Sequence, residues 1–498
     1  MKGKKYLLSF TAIFVLFFSC KSPNGPAIPY DYDWSDMYVR PNYPTRKFWA
    51  QNLATDKFYQ LEAEMLYENS ACKVWAEKGS GVSETTALIV ASRYGSDIKT
   101  PMMNTFGFNA NIMYGGQIIA RNTMQLADWL GDGDGKLCIL FLDIKDNYKP
   151  GIDNSFCAGY FWPGDLYAND PEDPYLRYSN ECDMIYLDTY PGKPETKNSY
   201  MSLAHEMQHL MNYVTNFVTG RTYQMDLWID EGLSSAAEWV YTGSHNEERV
   251  LWYNQDPTNQ IRRGNNFYVW GNRSSENSNA VLDDYATVYL FFQWLRLQAG
   301  NAGIYFDIIF SGNHDYSAVR QAVNSNISGM SSFSWENIMR TWHAANYINS
   351  SSGIYGYKND PILKMIHATT APAGVTSLNL FPGEGVYSVT PGSGSLPANS
   401  GNVKYAGLNK PSSLLSTVTS YSGGALLTFN VNPNIEGFWE SGTTTGLASI
   451  NTAPSPRSLT TVLSGPFPIG AKDVLKEIGF EKRPDLKLSM LDEGLYEQ

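Results

Sequence analysis

Histidine is scarce in this chain: six occur in 498 positions. Basic charge is also short, with 37 Lys and Arg against 49 Asp and Glu, a net charge of −12. That balance excludes a nucleic-acid partner and a basic membrane-binding face. Only one long apolar run occurs, Tyr6 to Phe18, behind the basic head Lys2, Lys4 and Lys5. It has the length of a signal peptide and is too short to span a bilayer stably. Cysteine is limited to five residues. Cys20, directly after the apolar run, reads as a bacterial lipid acceptor, with ordinary cleavage near Ser19 as the alternative. Lys21 to Pro29 then forms a tether. The others are Cys72, Cys138, Cys157 and Cys182. They form one or two disulfides, Cys157–Cys182 first, or stay buried thiols.

What the chain has is core-forming material. Hydrophobic residues make up 43% and aromatics 14%, enough for a large interior in two to four domains. Two of the scarce histidines stand four apart, in His205-Glu206-Met207-Gln208-His209. On a helix these share a face and can grip one zinc ion, while Glu206 accepts the proton of an attacking water. Met201, Ala204, Leu210, Met211 and Val214 predict that this helix is buried, with Ser199 as its N-cap. Burying two histidines and a glutamate is costly unless a metal compensates.

A second apolar helix, Leu227 to Glu238, carries Glu231 and Glu238 seven apart. Glu231 opens the run and is the expected third ligand. Its alternative role is a carboxylate at a helix N-terminus.

HEMQH followed by WIDEG resembles the thermolysin-like zinc metallopeptidases, the gluzincins, and within them the hyicolysin family of secreted neutral metallopeptidases. The resemblance runs from about Trp75 to about residue 350. It implies His205, His209 and Glu231 as zinc ligands and Glu206 as general base. It also implies a strand upstream of the histidines that lies along the cleft and pairs with an extended substrate; Asp183 to Asp188 is that strand. A Tyr or His beyond the third ligand holds the oxyanion in this group. Tyr285, near the start of a strong helix Val281 to Leu297, is the candidate, and His314, in the loop Ser311 to Asp315, the second choice. Asp230 departs from the group, which often has Asn there, and tolerates the swap. The metzincin pattern fails, because Asn212 and Thr215 stand where Gly and His belong.

The expected fold class is α+β. A thermolysin-like catalytic domain has a strand-rich upper half and a helical lower half bearing the HExxH helix. A small β-sandwich-like C-terminal module follows it. The boundaries are a signal peptide at 1–19, a lipidated tether at 20–34, the catalytic unit at 35–365, a β-rich accessory region at 366–470, and a final helix and fraying tail at 471–498. Tyr30 to Gln51 is expected to be irregular. Leu53 to Glu68 has helical periodicity that can also alternate with extended segments. Ala71 to Glu77 and Leu137 to Asp143 read as strands and Thr123 to Leu130 as a helix, while Tyr114 to Asp132 otherwise mixes helix and loop. Helical pattern returns at Tyr316 to Val323 and Trp335 to Tyr347, and Phe267 to Trp270 reads as core. The acidic turn Asp132-Gly-Asp134 admits two readings, a calcium cage or a plain turn.

The activity expected is zinc-dependent endopeptidase cleavage of protein or peptide, by a protein held outside the cytoplasm through its N-terminal lipid or secreted. A zinc aminopeptidase is disfavoured, since no glycine-x-methionine-glutamate-asparagine anchor precedes His205. A binding lipoprotein on a degenerate protease scaffold is disfavoured by the intact set His205, Glu206, His209 and Glu231.

Overall fold

Two fully buried, mostly apolar segments lie inside the main sheet. In the computed structural model, β6 (Leu137–Leu142) and β8 (Met184–Asp188) are buried at every position. Strands covered on both faces lose the in–out alternation of half-buried ones. The structure describes residues 43–114, 117–150, 156–174, 176–219, 221, 223–264, 267–270, 280–371, 380–389, 393–408, 420–422, 424–433 and 487–490. The signal peptide, Cys20, the tether and the expected helix at 473–480 lie outside these residues.

The sheet has six strands. β1 (Thr45–Asn52) and β2 (Lys57–Glu68) form an antiparallel hairpin, and β2 pairs antiparallel with β3 (Cys72–Glu77). β3, β6 and β8 run parallel, and β7 (Gly159–Tyr160) closes the order β1-β2-β3-β6-β8-β7 as an antiparallel edge. Two expectations are corrected by this sheet. Tyr30 to Gln51 is not irregular throughout, because its last residues are β1. The helical periodicity of Leu53 to Glu68 belongs to a strand. The register of β2 shifts between Met65 and Tyr67, so Leu61, Ala63 and Leu66 are all buried. That bulge turns a two-residue period into a spacing that imitates a helix.

Helices α1 (Glu84–Arg93) and α2 (Lys99–Phe106) follow β3, joined by a π-helical turn at Tyr94–Ile98. β4 (Asn109–Tyr114) and β5 (Gln117–Asn122) form a hairpin, so the start of Tyr114 to Asp132, read as helix and loop, is strand. Helix α3 (Thr123–Leu130) keeps its expected bounds, with the Asn122 side chain accepting from the Gln125 N–H.

The helical half is built on α4 (Lys197–Thr219), α5 (Leu227–Thr242) and α7 (Val281–Ala299); α5 lies against both of the others. α4 begins two residues before Ser199. The Thr196 hydroxyl accepts the Ser199 N–H at 3.3 Å, so Thr196 takes the capping role expected of Ser199. Gly232 allows the crossing of α5 and α7: a Cβ there would stand 2.1 Å from the ring of the fully buried Phe292. Trp228 stacks on Tyr268 at 4.7 Å and Tyr268 on Trp335 at 5.6 Å. Phe267 to Trp270 is therefore core. α6 (Glu247–Gln255), α8 (Gly303–Ile309), α9 (Tyr316–Asn326) and α10 (Trp335–Ile348) complete this half.

Beyond α10, β9 (Gly385–Val389), β11 (Val403–Leu408) and β13 (Ala425–Asn430) form an antiparallel sheet in the order β11-β13-β9. β10 (Ser393–Ser395) and β12 (Ser420–Ser422) pair separately. The Tyr387 hydroxyl donates to the His343 carbonyl of α10 at 2.8 Å, which ties this sheet to the helical half. In the tail, β14 (Lys487–Met490) pairs with β4 where fraying was expected. Among the described residues, no helix is long and apolar enough to cross a membrane.

The cysteines do not follow the expected pairing. Cys72, Cys138, Cys157 and Cys182 are all free and buried. The Cys157 thiol is turned to the Gly159 carbonyl at 3.1 Å, whereas Cys182 sits beside Met184, its sulfur 3.9 Å from the Met184 sulfur. The two thiols are committed to different partners.

Candidate metal centre

α4 places His205 and His209 one turn apart on the face that meets α5, and α5 brings Glu231 to the same point. Glu231 Oε2 lies 3.4 Å from His205 Nε2 and 3.9 Å from His209 Nε2. The three residues offer donor atoms all within 4.8 Å of one another, and all three are buried.

The back of each imidazole is held by a carboxylate. His205 Nδ1 lies 3.2 Å from Glu238 Oε1, and His209 Nδ1 lies 2.8 Å from Asp230 Oδ2. Carboxylates behind both rings put the proton on Nδ1 and aim the Nε2 lone pairs at Glu231, as metal binding requires. Asp230 also accepts from Asn212 Nδ2 at 2.5 Å, and Asn212 Oδ1 in turn accepts from Arg221 at 3.2 Å. Glu238 serves as backing to the site, and Glu231 is the carboxylate at its centre.

Charge makes the same demand as geometry. Glu206, Asp230, Glu231 and Glu238 are all buried around two imidazoles, an arrangement that needs positive charge close by. Burial pulls His205 down, but the Glu231 and Glu238 carboxylates, with Glu206, outweigh it and raise it to about 10. For His209, burial is likewise outweighed, chiefly by Asp230. The metal-free site thus gathers protons, and a divalent cation must displace them, so metal affinity falls as pH falls. Two imidazole nitrogens and one carboxylate, with their outer partners in place, are a donor set that fits zinc.

Glu206 faces a cleft of about 440 Å³, whose lining includes Phe156, Gly159, His205, Glu206, Arg249 and Tyr285. Burial raises the pKa of Glu206, as do Glu231 and Asp230, while the two histidines lower it; the balance is upward. Glu206 Oε2 is buried with no hydrogen-bond partner. Glu238 behaves in the opposite way. Burial pushes it up, but Arg249, His205 and Asn246 hold it down at about 2, so it is ionised at neutral pH.

Of the two oxyanion candidates, Tyr285 reaches the cleft. Its ring lies 6.3 Å from that of His205, edge-on to Trp270 at 5.0 Å and under the Arg249 guanidinium at 4.4 Å. His314 packs on Tyr223 at 5.0 Å, its carbonyl accepts the Asp226 N–H, and it is not part of the cleft lining. The strand along the cleft also differs from expectation. β8 lies inside the sheet between β6 and β7, and the cleft wall is made by β7 and the residues just before it.

Sequence reading missed α6, which supplies Asn246, Arg249 and Trp252 to the cleft. Asn246-Glu-Glu is a polar residue followed by two first-turn acids, a helix-start signal.

The acidic turn is met by a lysine. Asp128, Asp132 and Asp134 converge, but Lys73 Nζ pairs with Asp134 and lies 3.7 Å from Asp132. Gly133 and Gly135 adopt φ of +71° and +84°, as a tight turn needs. Lys73 thus supplies positive charge to this acidic turn.

No family model matches the chain. It is 26% identical over 329 residues to the neutral metalloprotease ShpI of Staphylococcus hyicus, an alignment covering 64% of this chain and 66% of that protein. The chain thus spans just under two thirds of that relative's length. The buried His205, His209 and Glu231 cluster and this homology together support a metal-dependent hydrolase, with zinc as the fitting metal.

Proposed function

We propose that this chain is a thermolysin-like zinc endopeptidase that cleaves internal peptide bonds of proteins outside the bacterial cytoplasm. The observation that carries the proposal is the convergence of His205, His209 and Glu231 beside the unpartnered Glu206 Oε2, on the wall of an open cleft. Zinc, when bound, polarises the scissile carbonyl and lowers the pKa of the attacking water. Glu206 Oε2 takes the proton of that water and passes it to the leaving amine. Tyr285 donates to the oxyanion from the opposite wall. A peptide in extended form adds to the outer edge of β7, reading backbone rather than one side chain. The proposed catalytic unit is 35–365; the region 366–470 is proposed to bind a surface or substrate or to buttress that unit.

Purified protein is expected to bind one zinc per chain and to cut casein into large internal fragments. Release of single residues from the N-terminus, with no internal fragments, is the result that selects an aminopeptidase instead. Zinc retention with no turnover of any protein substrate selects a binding lipoprotein.

Attachment is proposed through Cys20, on the motif Lys2 to Cys20. Mass spectrometry of the N-terminus from membranes is expected to find a lipid-modified Cys20 as the first residue. A mature chain that begins elsewhere, or with an unmodified Cys20, sinks this part.

A further inference from the structure

His245 lies in the short connection between α5 and α6, outside the cleft lining, and both of its ring nitrogens are engaged. Nε2 is 3.0 Å from Asp360 Oδ2, and Nδ1 is 2.8 Å from the Tyr289 hydroxyl of α7. Asp360 is fixed in turn, its Oδ1 accepting the Ile362 and Leu363 N–H groups at 3.0 Å each. An ionised carboxylate only accepts, so His245 Nε2 carries the proton. With the imidazole neutral, Nδ1 accepts the Tyr289 proton. The tyrosine oxygen then accepts the backbone N–H of Asn246 at 3.1 Å. The Asn246 side chain donates to Glu238 Oε2 at 2.8 Å, and Glu238 Oε1 faces His205 Nδ1.

These contacts form one continuous chain: Asp360, His245, Tyr289, Asn246, Glu238, His205. A loop needs no such chain merely to connect two helices. A buried imidazole with both nitrogens satisfied is costly to assemble, and its directionality is what it contributes. In this chain the direction fixes the backbone of Asn246, whose side chain braces the carboxylate behind a zinc ligand.

We propose that His245 is a positioning residue for the metal centre, acting through Tyr289, Asn246 and Glu238 to hold the His205 imidazole in its ligand orientation. The inference rests on the zinc-binding reading of His205, His209 and Glu231. Partners behind metal-ligating histidines typically change affinity by 10- to 100-fold when lost. His245 stands four contacts behind His205 and belongs at the lower end of that range.

The test is zinc affinity by chelator competition, measured beside melting temperature and peptide turnover. Tyr289→Phe removes only the hydroxyl that joins His245 to Asn246, and it keeps the ring that fills the core. It is expected to weaken zinc binding about tenfold. His245→Ala is expected to do the same. The double variant is expected to be no worse than either single one, since both cut the same chain. Asp360→Asn keeps an acceptor for Nε2 and is expected to hold affinity within about threefold of wild type, as a residue that acts by holding the ring allows. If His245→Ala fails to fold, Tyr289→Phe with Asp360→Asn still decides the matter. Wild-type zinc affinity in Tyr289→Phe with only a lower melting temperature overturns the proposal, as do additive losses in the double variant. Wild-type protein that binds no zinc overturns the functional reading itself, and this inference with it.

Discussion

Glu206→Gln is expected to keep one zinc per chain and to lose about 10²- to 10⁴-fold in kcat, the range over which a positioned general base contributes. The substitution is nearly isosteric, and the site leaves little room for any other response. Glu206 is 2% exposed, and a Cβ placed on Gly159 would stand only 3.4 Å from its Cγ. The amide therefore sits where the carboxylate sat and can still hydrogen-bond a water. It cannot take a proton. Zinc is unaffected because Glu206 lies beside the ligand set and not in it. KM is expected to change little, since substrate is held by the cleft walls. Casein cleavage and zinc content, measured on the same samples, check both halves of the expectation. Cleavage within tenfold of wild type removes Glu206 from the mechanism.

The parts of this site that could be read from sequence are those that lie close together along the chain. His205, Glu206 and His209 fall within five residues on one helix, so their geometry follows from the helical repeat. Glu231 was reachable because α5 has the same apolar character as α4 and carries only two glutamates. The partners behind the histidines were harder. Glu238 and Asp230 are ordinary helix carboxylates until α4 and α5 pack face to face, and only that packing decides which one points into the centre. Asn246 and Arg249 reach Glu238 from another helix, and His245 reaches Asp360 across 115 positions. No local pattern encodes such distances. The strand errors have a similar origin. β2 hides its period behind a bulge, and β8 looks like the cleft strand because nothing in its sequence says that the short β7 covers its edge.

Electrostatics extend that lesson to Asp230. An asparagine, common at this place in the resembled group, would hold His209 with one oxygen but could not also accept from Asn212. The aspartate does both. Its extra charge is matched by Arg221, a buried guanidinium tied to Asn212. Burial lowers the Arg221 pKa to about 10 against the upward pull of Asp230, which still leaves it charged at neutral pH. The departure from the group's residue is thus compensated within the same contact chain, so a sequence comparison that looks only at position 230 underestimates how well the swap is accommodated.

Replacement of Glu231 is expected to act on the metal and not on the proton. Glu231→Ala leaves two imidazoles as the only protein ligands, one fewer than a catalytic zinc normally has. It also leaves Glu206, Asp230 and Glu238 buried around the vacated position, so the charge balance shifts while the geometry degrades. Zinc content after dialysis against a weak chelator should fall to near zero, and casein cleavage should fall with it. Glu238→Gln tests the other carboxylate of α5. Its amide oxygen still accepts the His205 Nδ1–H, but the charge that meets Arg249 is gone. Affinity should drop by about tenfold, the low end for a partner behind a ligating histidine, and saturating zinc should restore most of the activity. Glu231→Ala should not be restored in that way, because no concentration of zinc returns a missing ligand to its geometry. The two variants therefore differ in kind. Full zinc in Glu231→Ala together with lost zinc in Glu238→Gln would exchange their roles, making Glu238 the ligand and Glu231 the residue behind it. The 3.4 and 3.9 Å approaches of Glu231 Oε2 to the two Nε2 atoms, against the single Nδ1 contact of Glu238, favour Glu231 as the ligand and Glu238 as its backing.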